Sequence, residues 1–245
     1  MPSSGAVRAI VKGKCVLKGS LAKPVILICF LLLTGCTAAS DFHIKDIAKT
    51  DIDDVTDIHL KQANDLLKEL TQKLYKKNPY ELKKTPGQTI GSRLDQIFTC
   101  PVDKKFGELA YKDGTDAILL GFEPSFKGDR VFALMYGLYT MIHKAYNGKC
   151  EFFMLDVLDE QNLYNSARNI EILVWRLSTR QTHDGKPLIL TNSIDGEIKN
   201  LSYERIFGKL ISLQDTMALV VANRSGRMIK EVVHIAGMAF LPIGI

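Results

Sequence analysis

Residues 131–142, VFALMYGLYTMI, are apolar on every helical face apart from Gly137 and Thr140. A helix without a polar face must be surrounded, either by other helices or by lipid. Twelve residues are too few for lipid, since a bilayer core takes about 20. The segment 129–146 is therefore expected to be a central helix enclosed by its neighbours, with Gly137 leaving room for another backbone to come close.

The neighbours are legible as amphipathic seams. Asp53 or Asp54 offers an N-cap to a helix running through Lys77, with Val55, Ile58, Ala63, Leu66, Leu67, Leu70 and Leu74 on one stripe, stopped by Asn78-Pro79. Thr85-Pro86-Gly87 is a turn, residues 88–98 suit a short helix, and Cys100-Pro101 opens a loop. Asp159 can cap a helix whose Leu163, Ala167, Ile170, Val174 and Leu177 alternate steps of four and three, a packing seam with Arg168, Glu171, Arg176 and Arg180 off it. Ser202 heads a further run with Ile206, Phe207, Leu210, Leu213, Met217 and Val220 or Val221 inward, broken at 223–226. Met228, Val232, Ile235 and Ala239 are spaced for a final short helix, and the apolar tail Phe240-Leu241-Pro242-Ile243 is expected to fold back on the body. Two apolar runs, 117–122 and 151–157, are too short to assign by periodicity and are compatible with strands. The expected fold is mainly α, a single bundle-like domain of five to seven helices with at most a few short strands.

A different logic governs the N-terminal part. Arg8, Lys12, Lys14, Lys18 and Lys23 form an acid-free cationic leader, followed by an apolar run of nine residues at 25–33. Lys23 before it and Asp41 beyond it leave no room for a spanning helix, so the pattern is that of a secretion signal. The run ends in Leu33-Thr34-Gly35-Cys36, which resembles the lipobox of bacterial lipoprotein signal peptides. That resemblance covers only the leader and Cys36. It implies cleavage before Cys36, a diacylglyceryl thioether on its sulfur and a further acyl chain on its freed amine. One chain holds a protein to a membrane only marginally, whereas two or more anchor it. The alternative is an ordinary secretory signal that happens to end near a cysteine. Thr37, in a place where Asp marks retention at the inner membrane of Gram-negative cells, is compatible with export to the outer membrane. The leader is long for such a signal, in keeping with a translation start downstream of Met1. The expected organisation is thus a signal peptide at 1–35, a lipidated N-terminus and polar tether at 36–52, and a helical periplasmic domain at 53–245.

Removing the leader changes what the composition means. The chain holds 32 Lys and Arg against 27 Asp and Glu, a net charge of +5. The leader carries five of those cations and no acid, so the part from Cys36 onward is neutral and offers no phosphate-binding footprint. Nucleic acid is not an expected partner. Cys15 and Cys29 leave with the signal and Cys36 is consumed by lipid, so Cys100 and Cys150 remain, each beside a turn. An oxidising compartment would pair them and stabilise the fold by about 4 kcal/mol; the alternative is two buried free thiols.

Searches for chemistry return little. Ser20-Leu21-Ala22-Lys23 has the S-x-x-K spacing of a lysine-served serine nucleophile but lies in the leader. No zincin, nucleophile-elbow, P-loop, dinucleotide, EF-hand or C-x-x-C pattern occurs, so neither a metal nor a cofactor is expected. His43, His59, His143, His183 and His234 are scattered; His143, in a last helical turn, suits a cation facing the helix dipole. Asp156 with Asp159 or Glu160 is compatible with a glycosidase-like acid pair, although helix capping explains them more simply. Arg168, Arg176, Arg180, Glu171, Glu204, Arg205 and Asp215 suit an ion-pair network or a recognition face. Asp215 falls among inward positions and is expected to pair with Arg168 or Arg176. These features lead to the expectation of a lipid-anchored envelope protein, not an enzyme, acting through protein partners as a subunit or assembly factor. The alternatives are a hydrolase of peptidoglycan or lipid, and a carrier of an apolar ligand held among residues 122–146.

Overall fold

The structure, a computed structural model, describes residues 49–182, 184–191, 201–230 and 239–244. The chain divides into two units, Met1–Asp46 and Ile47–Ile245. The first, with Cys36 and the expected signal, lies outside the described residues. The second is mainly α. Its helices are α1 (Asp51–Lys77), α2 (Pro79–Lys83), α3 (Ile90–Ile97), α4 (Gly114–Phe122), α5 (Arg130–Ala145), α6 (Glu160–Thr179) and α7 (Ser202–Ser225), with a 3-10 turn at Gly107–Leu109. Among the described residues there is no strand, only an isolated bridge between Gln181 and Pro187.

The central helix is α5. Every residue in it except Lys144 is buried. Helix α4 lies along it, α1, α3 and α6 flank it, and α7 lies along α6 and against α1. Gly137 is where α4 starts: a Cβ there would fall 2.7 Å from the Gly114 carbonyl oxygen and 2.8 Å from the Ile118 nitrogen. The Gly114 N–H donates to the Thr140 side-chain Oγ1 at 2.7 Å, which fastens the α4 N-terminus to α5. Phe106 meets Phe132 and Tyr136 edge to face at 5.0 and 5.1 Å, filling the space on one side of α5 with rings.

A charged knot sits at the N-terminus of α5. Arg93 of α3 is fully buried. Its guanidinium grips Glu108 with bonds of 2.6 and 2.9 Å, and its Nε lies 3.3 Å from Asp129 Oδ2. Asp129 in turn caps α5 by accepting from the Phe132 N–H at 2.9 Å and accepts the Tyr75 hydroxyl at 2.8 Å. Burial opposes the Arg93 charge, but Glu108 and Asp129 outweigh it and hold its pKa above the ordinary value. Buried ions persist only when paired and hydrogen-bonded in this way.

Several boundaries differ from the sequence expectation. Helix α1 starts at Asp51, with Thr50 as its cap; the Thr50 N–H and hydroxyl both donate to Asp53 Oδ2, at 2.8 and 2.7 Å. Asp53 is therefore the third helical residue, and 49–52 belong to the body. Val55 and Ile58 are exposed, while Leu60 and Tyr75 are buried in their place, because the helix rotates its stripe toward α5 and α7. The run at 117–122 is helical, since its backbone is bonded within α4, and 151–157 is irregular. Leu201, not Ser202, precedes α7, and Gln214 is fully buried there with Leu210 and Met217, bonded to Ser166 at 3.0 Å, while Leu213 is half-buried. Met228 is exposed in irregular backbone, and the rest of the expected final helix lies outside the described residues. The tail does return. Asn169 brackets Leu241 with bonds of 2.7 and 2.9 Å, Asn165 donates to the Pro242 carbonyl at 2.9 Å, and Asn162 brackets Gly244 at 3.1 and 2.7 Å.

Candidate partner-binding cleft

The end of α1 builds a spacious concavity. Asn78 caps the helix and makes a side-chain clamp across the chain, donating to Leu190 O at 2.9 Å and accepting from Leu190 N at 2.8 Å. Pro79 then starts α2 in the first helical position, where a missing N–H costs nothing. Glu81, on α2, is buried. It accepts the Arg130 N–H at 2.6 Å and Lys84 Nζ at 2.6 Å. The Arg130 guanidinium donates to the carbonyls of Gly121, Glu123 and Phe126 at 2.6, 2.8 and 2.9 Å, folding the α4–α5 connection around itself. Opposite, Leu188 N bonds Arg180 O at 3.2 Å and Thr182 N bonds Lys186 O at 2.7 Å, shaping a hairpin-like loop after α6.

These walls enclose a cleft of about 550 Å³ lined by Tyr80, Glu81, Lys84, Arg130, Thr182, Lys186, Pro187, Leu188 and Leu190. Its lining sets Lys84 (paired with Glu81), Lys186 and the buried Arg130 among the apolar faces of Tyr80, Pro187, Leu188 and Leu190. Burial and the Glu81 charge raise the Tyr80 pKa, with Arg130 opposing, so the phenol stays protonated and able to donate. A concavity of this size with a few convergent polar groups suits a small ligand or two to three side chains of a protein segment.

The residues singled out from the sequence fall elsewhere. Cys100 and Cys150 are paired, Cα to Cα 6.0 Å, joining the α3–α4 connection to the loop after α5. His143 is not a dipole-facing cation. It is buried, its Nε2 is 3.2 Å from Asn64 Oδ1, and burial pushes its pKa down to about 4, so the ring is neutral at pH 7. Asp156 and Asp159 serve backbone geometry: Asp156 pairs with Lys149 and accepts the Phe153 N–H at 3.0 Å, and Asp159 caps α6 at 2.8 Å. The Lys149 bond holds Asp156 below the usual carboxylate range, a poor state for a general acid. Glu160 is buried near Arg227 at 3.8 Å. Arg168 is the partner of Asp215, at 2.7 Å, and also meets Glu171 at 3.1 Å. Arg176 lies over the Phe240 ring of the tail at 5.1 Å. His43, His183 and His234 lie outside the described residues.

Among the described residues no three His, Cys, Asp or Glu side chains are grouped to hold a metal ion, and no helix is long and apolar enough to cross a membrane. The cleft itself was not legible in the sequence. The one lining element with a local signal in the sequence was the Asn78-Pro79 helix stop that precedes Tyr80. No family model matches the chain, and neither a curated protein nor a solved structure matches it.

Proposed function

We propose that this chain is a bacterial lipoprotein, anchored through lipid on Cys36 at the outer membrane and facing the periplasm, that binds another envelope protein as a subunit or assembly factor. The lipobox residues, the neutral composition after Cys36 and the absence of a catalytic pattern in the sequence support the placement. The partner reading rests on the cleft at the C-terminal end of α1. Helix α1 has 27 residues, so that cleft sits about 40 Å from the end where the tether joins the body. A cleft at the end of the body away from the tether suits a protein partner in the periplasm.

Its chemistry suits a segment that seats an apolar side chain against Tyr80, Leu188 and Leu190 and presents a carboxylate to Lys186. A photo-cross-linking side chain in place of Tyr80, in cells, is expected to capture one dominant envelope protein. Adding Lys186→Glu should cut that product at least tenfold without altering the body's melting temperature. An unchanged product, or none at Tyr80, would overturn the assignment of the cleft. Separately, Cys36→Ser should release the protein from the membrane fraction.

A further inference from the structure

At the opposite end of the body the chain builds an apolar tip. Leu155 is 91% exposed, Val157 70% and Met154 52%, three large apolar side chains within four residues. Polar residues hold the loop that carries them. Asp57 accepts the Phe152 N–H at 3.0 Å, Asp156 accepts the Phe153 N–H at 3.0 Å and pairs with Lys149, and Asn147 donates to the Val157 carbonyl at 2.8 Å. With the backbone bonded inward, the apolar side chains are turned outward. An exposed apolar cluster of this kind marks an interaction surface.

The tip is also tied to the tether. Lys49, the first described residue, pairs with Glu151 at 3.0 Å and with Asp57, and lies over the Phe153 ring at 5.4 Å. Thirteen positions separate Cys36 from Lys49, a span of at most about 45 Å.

We infer that the 153–157 tip dips into the bilayer surface that holds the lipid anchor, so that the body stands on the membrane with its partner cleft pointing away. The inference rests on the lipoprotein reading for the anchor. The place where the chain enters the body favours lipid over a protein here: Lys49 contacts Glu151 and Phe153 beside the exposed side chains, so lipid on Cys36 would hold them close to the bilayer. Met154, Leu155 and Val157 are aliphatic, and Met154 and Val157 also border a concavity of about 220 Å³ together with Ile52, Met217, Val221 and Arg224. Three side chains are a weak contact alone, but a short tether makes it intramolecular at millimolar effective concentration, enough to set orientation.

The test uses the lipidated full-length protein with Trp175→Phe, reconstituted in phosphatidylethanolamine and phosphatidylglycerol vesicles. Leu155→Trp should emit at shorter wavelength and be quenched several-fold more by brominated lipid than Tyr80→Trp at the other end. Equal quenching of the two, with lipid on Cys36 verified by intact mass, overturns the inference, as does a tip that stays unquenched in vesicles yet cross-links to a protein in native membranes. If the mass shows no lipid on Cys36, the anchoring reading fails. The two tryptophan variants are then compared at raised vesicle concentration, where selective quenching of Leu155→Trp still supports a bilayer-seeking tip and equal signals reject it.

Discussion

His143 shows how burial converts a titratable side chain into a pH-dependent element of stability. Its folded pKa of about 4 lies below the unfolded value of ~6.5, so the unfolded chain takes up the proton first. Stability from this site is full above pH ~6.5 and is lost as the pH falls toward 4, by about 3 kcal/mol at the low end. Urea unfolding at pH 7 and pH 4.5 should show the parent losing about 2 kcal/mol more than His143→Gln, which no longer titrates. A parallel loss in both proteins would mean that other groups govern the acid limb. Arg93 makes the complementary point about legibility. A single arginine on a short amphipathic helix reads as a surface residue, and its partners Glu108 and Asp129 are remote enough in sequence that only the folded chain unites them. Asp215 was easier, because a carboxylate at an inward position demands a cation and an arginine on the best neighbouring seam could supply it.

Among the elements, two glycines at comparable helical positions should respond in opposite directions. Gly137→Ala would place a methyl 2.7 Å from the Gly114 carbonyl oxygen and force α4 off α5, at a cost of about 2–3 kcal/mol. Gly208, on α7, has nothing within 4 Å of its added Cβ, so Gly208→Ala should gain up to ~1 kcal/mol from helix propensity. Thermal melts of the two variants test the docking of α4 directly. The close approach at Gly137 was readable, since a glycine in an otherwise bulky helix has little other use. The state of 117–122 was not, because six apolar residues have no period to distinguish helix from strand. The stripe of α1 slipped for a related reason. Val55 and Ile58 satisfy helical spacing, but one stripe cannot serve both α5 and α7, and Thr56 and Leu60 take the inward places.

For the whole molecule, the Cys100–Cys150 link closes a separation of 50 residues and ties the connections on either side of the central helix. Non-reducing mass spectrometry should find no alkylatable thiol at either position, and reduction should lower unfolding stability by about 4 kcal/mol. Two free thiols, or a stability indifferent to reductant, would reject the link. The molecule has two unlike ends, an apolar tip where the tether joins and a cleft at the far end of α1. The cleft is not written in any one stretch of sequence. Helix periodicity, caps and stops are local, so the sequence alone determined the mainly α fold, the central helix and the cysteines available to pair. The cleft depends on contacts such as Asn78 with Leu190, 112 residues apart, and the knot depends on α1, α3 and α5 meeting. Which polar groups are buried together, and which apolar ones are left outside, was decided only when the helices packed, because burial belongs to the assembled surface and not to any segment of it.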